Sequence, residues 1–216
     1  MDLNKYKTFL FDCDGVILDS NKIKTKTFYD IALPYGKEYA DELVNYHVSN
    51  GGVSRFKKFE YFYCNILNKE KNDVEINYLI DKYGETCIEN IKKCGEMPGV
   101  FEFLRTLNSR LCHVVSGGKQ DDLIEIFGFR GLNIYFNTIN GSPKTKEEIL
   151  QNMTLNHPII FFGDSEYDYR VSKQFGCDFV FLSSLTEFEG YEKFFEDKNV
   201  AIYKTFSEFM CDLKVT

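Results

Sequence analysis

Residues 9–20 read FLFDCDGVILDS, and an apolar run ends there in two aspartates one residue apart, followed at once by Gly15. Residues i and i+2 of a β-strand point to the same side, so Asp12 and Asp14 leave the strand close together. Two carboxylates this close repel each other unless a cation or a proton lies between them. The stretch therefore predicts a divalent metal site with a nucleophile beside an acid/base. An ordinary turn after a strand is the alternative.

Composition narrows the class of protein. The chain has 216 residues and a formal net charge of −7 with scattered basic residues, which argues against nucleic-acid binding. Its apolar runs are far shorter than the roughly 20 residues that span a bilayer, and residues 1–6 do not resemble a signal peptide. The seven cysteines contain no Cys-x-x-Cys pair, so we expect free thiols. We expect a cytoplasmic protein, a monomer or weak dimer that does not bind membranes.

Apolar runs of strand length alternate with amphipathic stretches along most of the chain. Most of the runs lack polar alternation, as strands covered on both faces do. This rhythm predicts an α/β fold with a doubly wound parallel sheet, Rossmann-like, whose sites lie at the carboxyl ends of the strands. The predicted strands are Tyr6–Phe11, Leu111–Val115, Ile134–Phe136, Ile159–Phe162, Phe179–Leu182 and an edge strand at Val200–Tyr203.

One region interrupts the alternation. Between about Asn21 and Cys94 only helical patterns occur, and Pro98-Gly99 follows this block closely. We therefore predict a catalytic core formed by residues 1–19 and 95–216, and a helical insertion at residues 20–94 that acts as a lid over the site.

Polar motifs follow three further predicted strands. Ser116, Gly117 and Gly118 offer a hydroxyl and backbone N–H groups for a phosphate, although Ser-Gly-Gly is also an ordinary loop. Lys144, after Pro143, is the predicted cation for a transferring anion, and we expect Lys146 to be exposed further into its helix.

Two more carboxylates complete the predicted metal site. Asp164 ends the fourth strand, and Asp168 follows one helical turn later. Clustered carboxylate oxygens of this kind suit Mg²⁺. An N-cap role is the alternative for Asp164.

Taken together, these four motifs resemble those of the haloacid dehalogenase-like (HAD) hydrolases. Asp12 to Val16 resembles the first family motif, Ser116 the second, Lys144 the third, and Gly163 to Asp168 the fourth. The insertion resembles the C1 cap of that family, and residues 136–144 resemble its phosphoglycolate phosphatase and β-phosphoglucomutase branch.

The resemblance implies phosphoryl transfer through a covalent aspartyl-phosphate. Asp12 would attack phosphorus, and Asp14 would protonate the leaving group and then take a proton from water, which requires a raised pKa. Mg²⁺ would be held by Asp12, the backbone carbonyl of Asp14 and Asp164. Asp168 would assist as a ligand, through water or as the partner of Lys144. Ser116, Gly117 and Lys144 would bind the phosphate oxygens.

Substrate recognition is predicted to involve the insertion. Arg55 follows Gly51-Gly52 and Ser54, and it contacts either the substrate or only solvent. Lys24, His47 and Lys57 are further candidates at the same interface. Phe56, Phe59, Phe62 and Tyr63 are predicted to pack inside the insertion, with a platform that stacks against the substrate as the alternative.

Three functions remain open at this point. A Mg²⁺-dependent phosphatase acting on a small phosphorylated metabolite, such as a sugar phosphate or similar phosphomonoester, is the leading hypothesis. A β-phosphoglucomutase-like phosphomutase would use the same residues. A non-catalytic protein that binds a phosphorylated ligand is the third.

Overall fold

A computed structural model describes residues 2–107 and 110–215. Its centre is a six-stranded parallel sheet in the order β3-β2-β1-β4-β5-β6, flanked by helices, which confirms the predicted α/β class. The strands are β1 (Thr8–Phe11), β2 (Leu111–Lys119), β3 (Thr138–Ser142), β4 (Ile159–Gly163), β5 (Asp178–Leu182) and β6 (Ala201–Tyr203).

Helices fill the segments between the strands and form the insertion. Within the described residues none is both long and apolar enough to cross a membrane. The α-helices are α1 (Asn21–Ala32), α2 (Lys37–Ser49), α3 (Arg55–Tyr61), α4 (Asp73–Ile91), α5 (Val100–Thr106), α6 (Gln120–Phe129), α7 (Lys146–Gln151), α8 (Glu166–Gln174), α9 (Tyr191–Phe195) and α10 (Phe206–Val215).

Strand β1 lies at the centre of the sheet, between β2 and β4. All four of its residues are buried, and Phe11 pairs in register with Val114 on one side and Phe162 on the other. The backbone N–H of Asp12 still donates to the carbonyl of Phe162, at 3.0 Å. Because the three strands are parallel, the residues that follow them emerge at one edge of the sheet.

The predicted strand at Ile134–Phe136 is wrong. Residues Leu132–Tyr135 form a 3₁₀ turn in which Ile134 is exposed, and β3 begins only at Thr138. Strand β3 lies at the edge of the sheet, and its first three residues are exposed or only partly buried. Polar residues are therefore tolerated there. An edge strand needs no continuous apolar run, so the apolar triplet pointed to the wrong segment.

The regular elements described in the insertion are all helical, and α1 to α4 pack around a shared aromatic cluster. The ring of Phe28 lies 5.2 Å from Phe59 and 4.4 Å from Tyr83 between centroids. Phe59 and Phe62 have no solvent exposure, as the packing interpretation of this series expected. Helix α4 also packs against α6 of the core, so the insertion rests on the edge of the sheet that carries the polar residues.

Candidate active site

Three carboxylates meet at the carboxyl edge of the sheet. Asp12 follows β1, Asp164 follows β4, and Asp168 lies in the first turn of α8. One oxygen of each lies within 4.8 Å of the others, and all three residues are buried. Gly15 permits this approach, since it has φ +73° and a Cβ added there would lie 2.1 Å from Asp164 Oδ2. The structure thus brings together three of the four predicted aspartates.

The cation of this cluster is Lys146, and the prediction of Lys144 is wrong. Lys144 is exposed, whereas Lys146 is 1% exposed, with Nζ 2.9 Å from Asp12 Oδ1 and 2.5 Å from Asp168 Oδ1. The reason is the phase of α7. Thr145 caps this helix with a capping box, so Lys146 is its first residue and shares the buried face with Ile149 and Leu150.

Asp168 holds the lysine in place. Its Oδ1 accepts a hydrogen bond from Lys146, and its Oδ2 accepts one from Ser165 Oγ at 2.5 Å. Asp12 Oδ1, by contrast, makes an ion pair with Lys146, and within the described residues it has no hydrogen-bond partner. Asp12 therefore keeps a buried oxygen that is open to a ligand or to a metal.

The electrostatics of the cluster show an excess of negative charge. Burial raises the pKa of Asp12 to about 7, with Lys146 opposing the shift and the charges of Asp168 and Asp14 adding to it. Burial and the charges of Asp12 and Asp168 raise the pKa of Asp164 well above its usual range. Three carboxylates face one lysine, so their full ionisation would leave two negative charges without an opposite partner among the described residues. A divalent cation fits this balance.

Asp14 lies next to this cluster but is held separately. Its Oδ2 pairs with Lys24 Nζ, and its Oδ1 accepts a hydrogen bond from Ser20 Oγ at 2.5 Å. Burial alone would raise its pKa, but the charge and the hydrogen bond of Lys24, with that of Ser20, lower it below the usual range. The raised pKa expected for an acid is therefore not found in this geometry, because Lys24 reaches Asp14, a contact that local spacing does not predict.

Ser116, which was predicted to bind phosphate, is buried within β2. Its hydroxyl accepts a hydrogen bond from the Gly118 N–H at 3.0 Å, and β2 runs on to Lys119 before α6 begins. Gly117 and Gly118 line the cavity described below, whereas Ser116 does not. A Cβ at Gly117 would lie 2.2 Å from the carbonyl oxygen of Gly52, so the insertion touches the core there.

A cavity of about 380 Å³ separates the core from the insertion. The core contributes Asp12, Asp14 and Asp164, and the helices of the insertion contribute polar and aromatic groups that include His47 and Lys58. The volume is within the range of small-molecule sites.

Arg55 lines this cavity, but its charge is already paired. It is 8% exposed, its guanidinium forms an ion pair with Asp122 of α6, and it lies over the ring of Tyr83. The solvent-exposed alternative is therefore wrong, while a contact with substrate stays a prediction. The ion pair between Arg55 and Asp122 joins α3 of the insertion to α6 of the core.

Sequence reasoning missed several polar residues of the cavity. Asn21 donates to Asp164 Oδ2 at 2.7 Å, and Glu187, after β5, reaches the insertion through Thr25. Lys58 is buried, whereas the predicted Lys57 is exposed. Helical spacing could have indicated Lys58, because it follows Arg55 by three residues and so shares its face.

Comparison with known proteins decides the family. A profile of the haloacid dehalogenase-like hydrolases matches residues 9–182. The chain belongs to this family. Comparison with functionally curated proteins gives no significant sequence match.

Solved structures share the fold of this HAD-like chain at low sequence identity. A predicted phosphoglycolate phosphatase from Haemophilus somnus has 18% identity and a TM-score of 0.72, over 98% of this chain and 100% of its own. A β-phosphoglucomutase from Clostridium difficile has 17% identity and a TM-score of 0.71, over 93% and 91%. A Bacillus subtilis protein assigned as a HAD-hydrolase, with magnesium bound, has 16% identity and a TM-score of 0.66, over 97% and 99%.

Proposed function

We propose that this HAD-like hydrolase is a Mg²⁺-dependent phosphatase that hydrolyses a small phosphorylated metabolite, a sugar phosphate or similar phosphomonoester, through a covalent phosphate on Asp12. The observation that carries the proposal is the buried Asp12 carboxylate, which lines the cavity between core and insertion and lies beside Lys146, Asp164 and Asp168. Phosphatase and phosphomutase assignments among proteins of the same fold support it.

The residues present fit a magnesium ion. Asp12 and Asp164, together with the backbone carbonyl of Asp14, would hold it, while both oxygens of Asp168 are engaged by Lys146 and Ser165. The ion supplies the positive charge that lets an anionic carboxylate approach an anionic phosphate. We therefore assign Asp168 chiefly to the positioning of Lys146.

Asp12, Lys146 and Asp14 have different roles in the proposed reaction. Asp12 Oδ1 is the open nucleophile, and Lys146 beside it stabilises the charge of the transferring phosphoryl group. While Lys24 holds it, Asp14 stays ionised, the form that accepts a proton from the attacking water. Proton donation to the leaving group requires that this contact weaken, as movement of α1 with the insertion would allow. We propose that the insertion acts as the C1 cap that excludes water.

Phosphate release from a broad panel of phosphomonoesters, with Mg²⁺ and after exhaustive chelation, tests the proposal. We expect release only with the metal, and none from Asp12→Asn. Hydrolysis that survives chelation would contradict the metal role. Absence of hydrolysis even of p-nitrophenyl phosphate would favour a non-catalytic, ligand-binding protein. Isomer conversion that depends on trace bisphosphate, with little phosphate release, would favour the phosphomutase.

We retain the cytoplasm as the expected compartment.

Binding of the metal has a readout that does not depend on turnover. Mg²⁺ at about 100 times its Kd should stabilise the fold by about 2.7 kcal/mol, which a thermal melt detects. Asp164→Asn should lose this shift. A variant of an exposed carboxylate, Glu148→Gln, should keep it. An equal shift in both variants would place the metal elsewhere.

A further inference from the structure

Lys58 is a buried cation of the cavity that has no carboxylate partner among residues 2–107 and 110–215. It is 2% exposed and lines the cavity from α3. The other cations that line the cavity each have a partner: Lys24 pairs with Asp14, Arg55 with Asp122, and Arg170 with Glu166. Within the described chain no carboxylate lies within ion-pair distance of Lys58.

A chain of hydrogen bonds fixes the position of this ammonium group. Lys58 Nζ lies 2.7 Å from Nδ1 and 3.3 Å from the carbonyl oxygen of His47. On its other side, His47 Nε2 lies 3.0 Å from Thr25 Oγ1, and that hydroxyl donates to Glu187 Oε2 at 2.6 Å. Since Thr25 gives its proton to Glu187, it accepts from His47 Nε2–H, which leaves Nδ1 as the acceptor for Lys58.

The chain leaves one donor of Lys58 unused. An ammonium group has three N–H donors, and His47 takes two of them. The third has no acceptor within the described residues. The centroid of the Phe28 ring lies 5.6 Å from Nζ, but a ring carries no counter-charge, and burial of a cation without a counter-charge costs stability. An anion that enters the cavity would supply both the acceptor and the missing charge.

We propose that Lys58 recognises a second anionic group on the substrate, so that the preferred substrates are phosphomonoesters that also carry a carboxylate or a second phosphate. The inference rests on the proposed phosphatase function, since the phosphate to be cleaved occupies the cluster around Asp12. Lys58 then selects the rest of the molecule. His47, Thr25 and Glu187 are positioning residues that hold Lys58 toward the cavity.

Three phosphomonoesters that differ in one group test the proposal. Hydroxyethyl phosphate carries a hydroxyl, phosphoglycolate a carboxylate, and ethylene glycol bisphosphate a second phosphate. We expect kcat/KM to be about 10- to 100-fold higher for at least one anionic probe than for the hydroxyl probe, as a charge-assisted hydrogen bond gives. The anionic probe that is preferred identifies the second group as carboxylate or phosphate.

Substitutions assign that preference to the lysine. Lys58→Met should reduce the ratio between the anionic and the hydroxyl probe to within about threefold, whereas Lys57→Met, on the exposed face of α3, should keep it. A structural role for Lys58 would lower both rates and leave the ratio unchanged. No preference in the wild-type chain, or a preference that survives Lys58→Met, would overturn the inference.

A binding measurement separates this inference from the phosphatase itself. If neither these probes nor p-nitrophenyl phosphate is hydrolysed, the proposed function fails. Calorimetric titration of Asp12→Asn with the same three probes then decides on Lys58 alone. Tighter binding of an anionic probe that Lys58→Met abolishes in this background supports the subsite, and equal binding of all three probes rejects it.

Discussion

The edge of the sheet and the inner face of the insertion each bury one lysine, and the two lysines titrate in opposite directions. Lys146 lies between Asp12 and Asp168, whose charges overcome burial and raise its pKa above the usual value. Lys58 contacts the neutral ring and the carbonyl of His47 and lies over the ring of Phe28, and burial lowers its pKa to about 7. The exposed fractions are 1% and 2%, so burial does not distinguish them. The counter-charge does, and it indicates different roles for the two cations.

The largest expected effect on activity comes from removal of the Asp12 carboxylate, which pairs with Lys146. Asp12→Asn should reduce phosphate release by about 10⁴-fold or more, because the amide is not a nucleophile. The substitution should not lower the stability of the fold. The folded pKa of Asp12 is about 7, above its unfolded value, so the folded chain binds more protons between about pH 4 and 7 and loses stability as the pH rises through that window.

Thermal melts at about pH 8 without metal measure this effect on stability. At this pH the wild-type Asp12 is ionised and repelled by Asp168 and Asp14, whereas the amide of Asp12→Asn carries no charge. We therefore expect the melting temperature of Asp12→Asn to equal or exceed that of the wild type. A collapse of the melting temperature would make Asp12 structural. Full activity in the variant would remove it from the mechanism.

The next effect separates the two lysines of the third motif. Lys146→Met should reduce kcat by about 10²- to 10³-fold, because it removes the positive charge beside the nucleophile. It should also destabilise the apo protein by about 3 to 5 kcal/mol, since Asp12 and Asp168 lose their partner. Lys144→Met is the matched control, because Lys144 is exposed, and it should change neither quantity. The reverse pattern would restore the assignment made from the sequence.

A smaller effect tests the contact between the insertion and the core. Asp122 does not line the cavity, so Asp122→Asn removes the partner of Arg55 without touching a bound molecule. We expect KM to rise about five- to tenfold, because the closed arrangement loses a buried ion pair. If Arg55 acts only through Asp122, Arg55→Met should give the same KM. A larger loss for Arg55→Met than for Asp122→Asn would show that Arg55 also contacts the substrate.

Strand-end acids were predictable from the sequence because their signal is local. Asp12 and Asp164 each follow an apolar run, and parallel strands bring such ends together whatever the register of the helices. The lysines were not predictable in the same way. A lysine in an amphipathic helix is expected to face solvent, so the sequence favours the exposed neighbours Lys144 and Lys57 over Lys146 and Lys58.

The missed lysines share a pattern that could have been used. Lys146 precedes the buried Ile149 and Leu150 by three and four residues, and Lys58 precedes the buried Phe62 by four. Each lysine therefore lies on the apolar face of its helix or helical turn. The pairing of Arg55 with Asp122, across residues far apart in the chain, has no counterpart in local spacing and required the fold.

The smallest expected effect concerns the stability cost of Lys58. Lys24 and Lys146 of like charge, with Asp14 and Glu187 of opposite charge, surround it, and burial is the main cause of its lowered pKa. Between its folded pKa of about 7 and its unfolded value of 10.5 the unfolded chain binds more protons, so wild-type stability should rise with pH across this window. Lys58→Met removes that cost.

Denaturant unfolding at about pH 6 and pH 9 measures this difference between variant and wild type. At the lower pH, where the lysine is charged in both states, we expect Lys58→Met to be more stable than wild type by about 1 to 3 kcal/mol. At the higher pH the gain should shrink, since the wild-type lysine is then neutral in the fold. Lys57→Met should show no gain at either pH, because Lys57 is exposed. A destabilised Lys58→Met would mean that the ammonium group supports the fold, and the comparison with Lys146 would then lose its functional meaning.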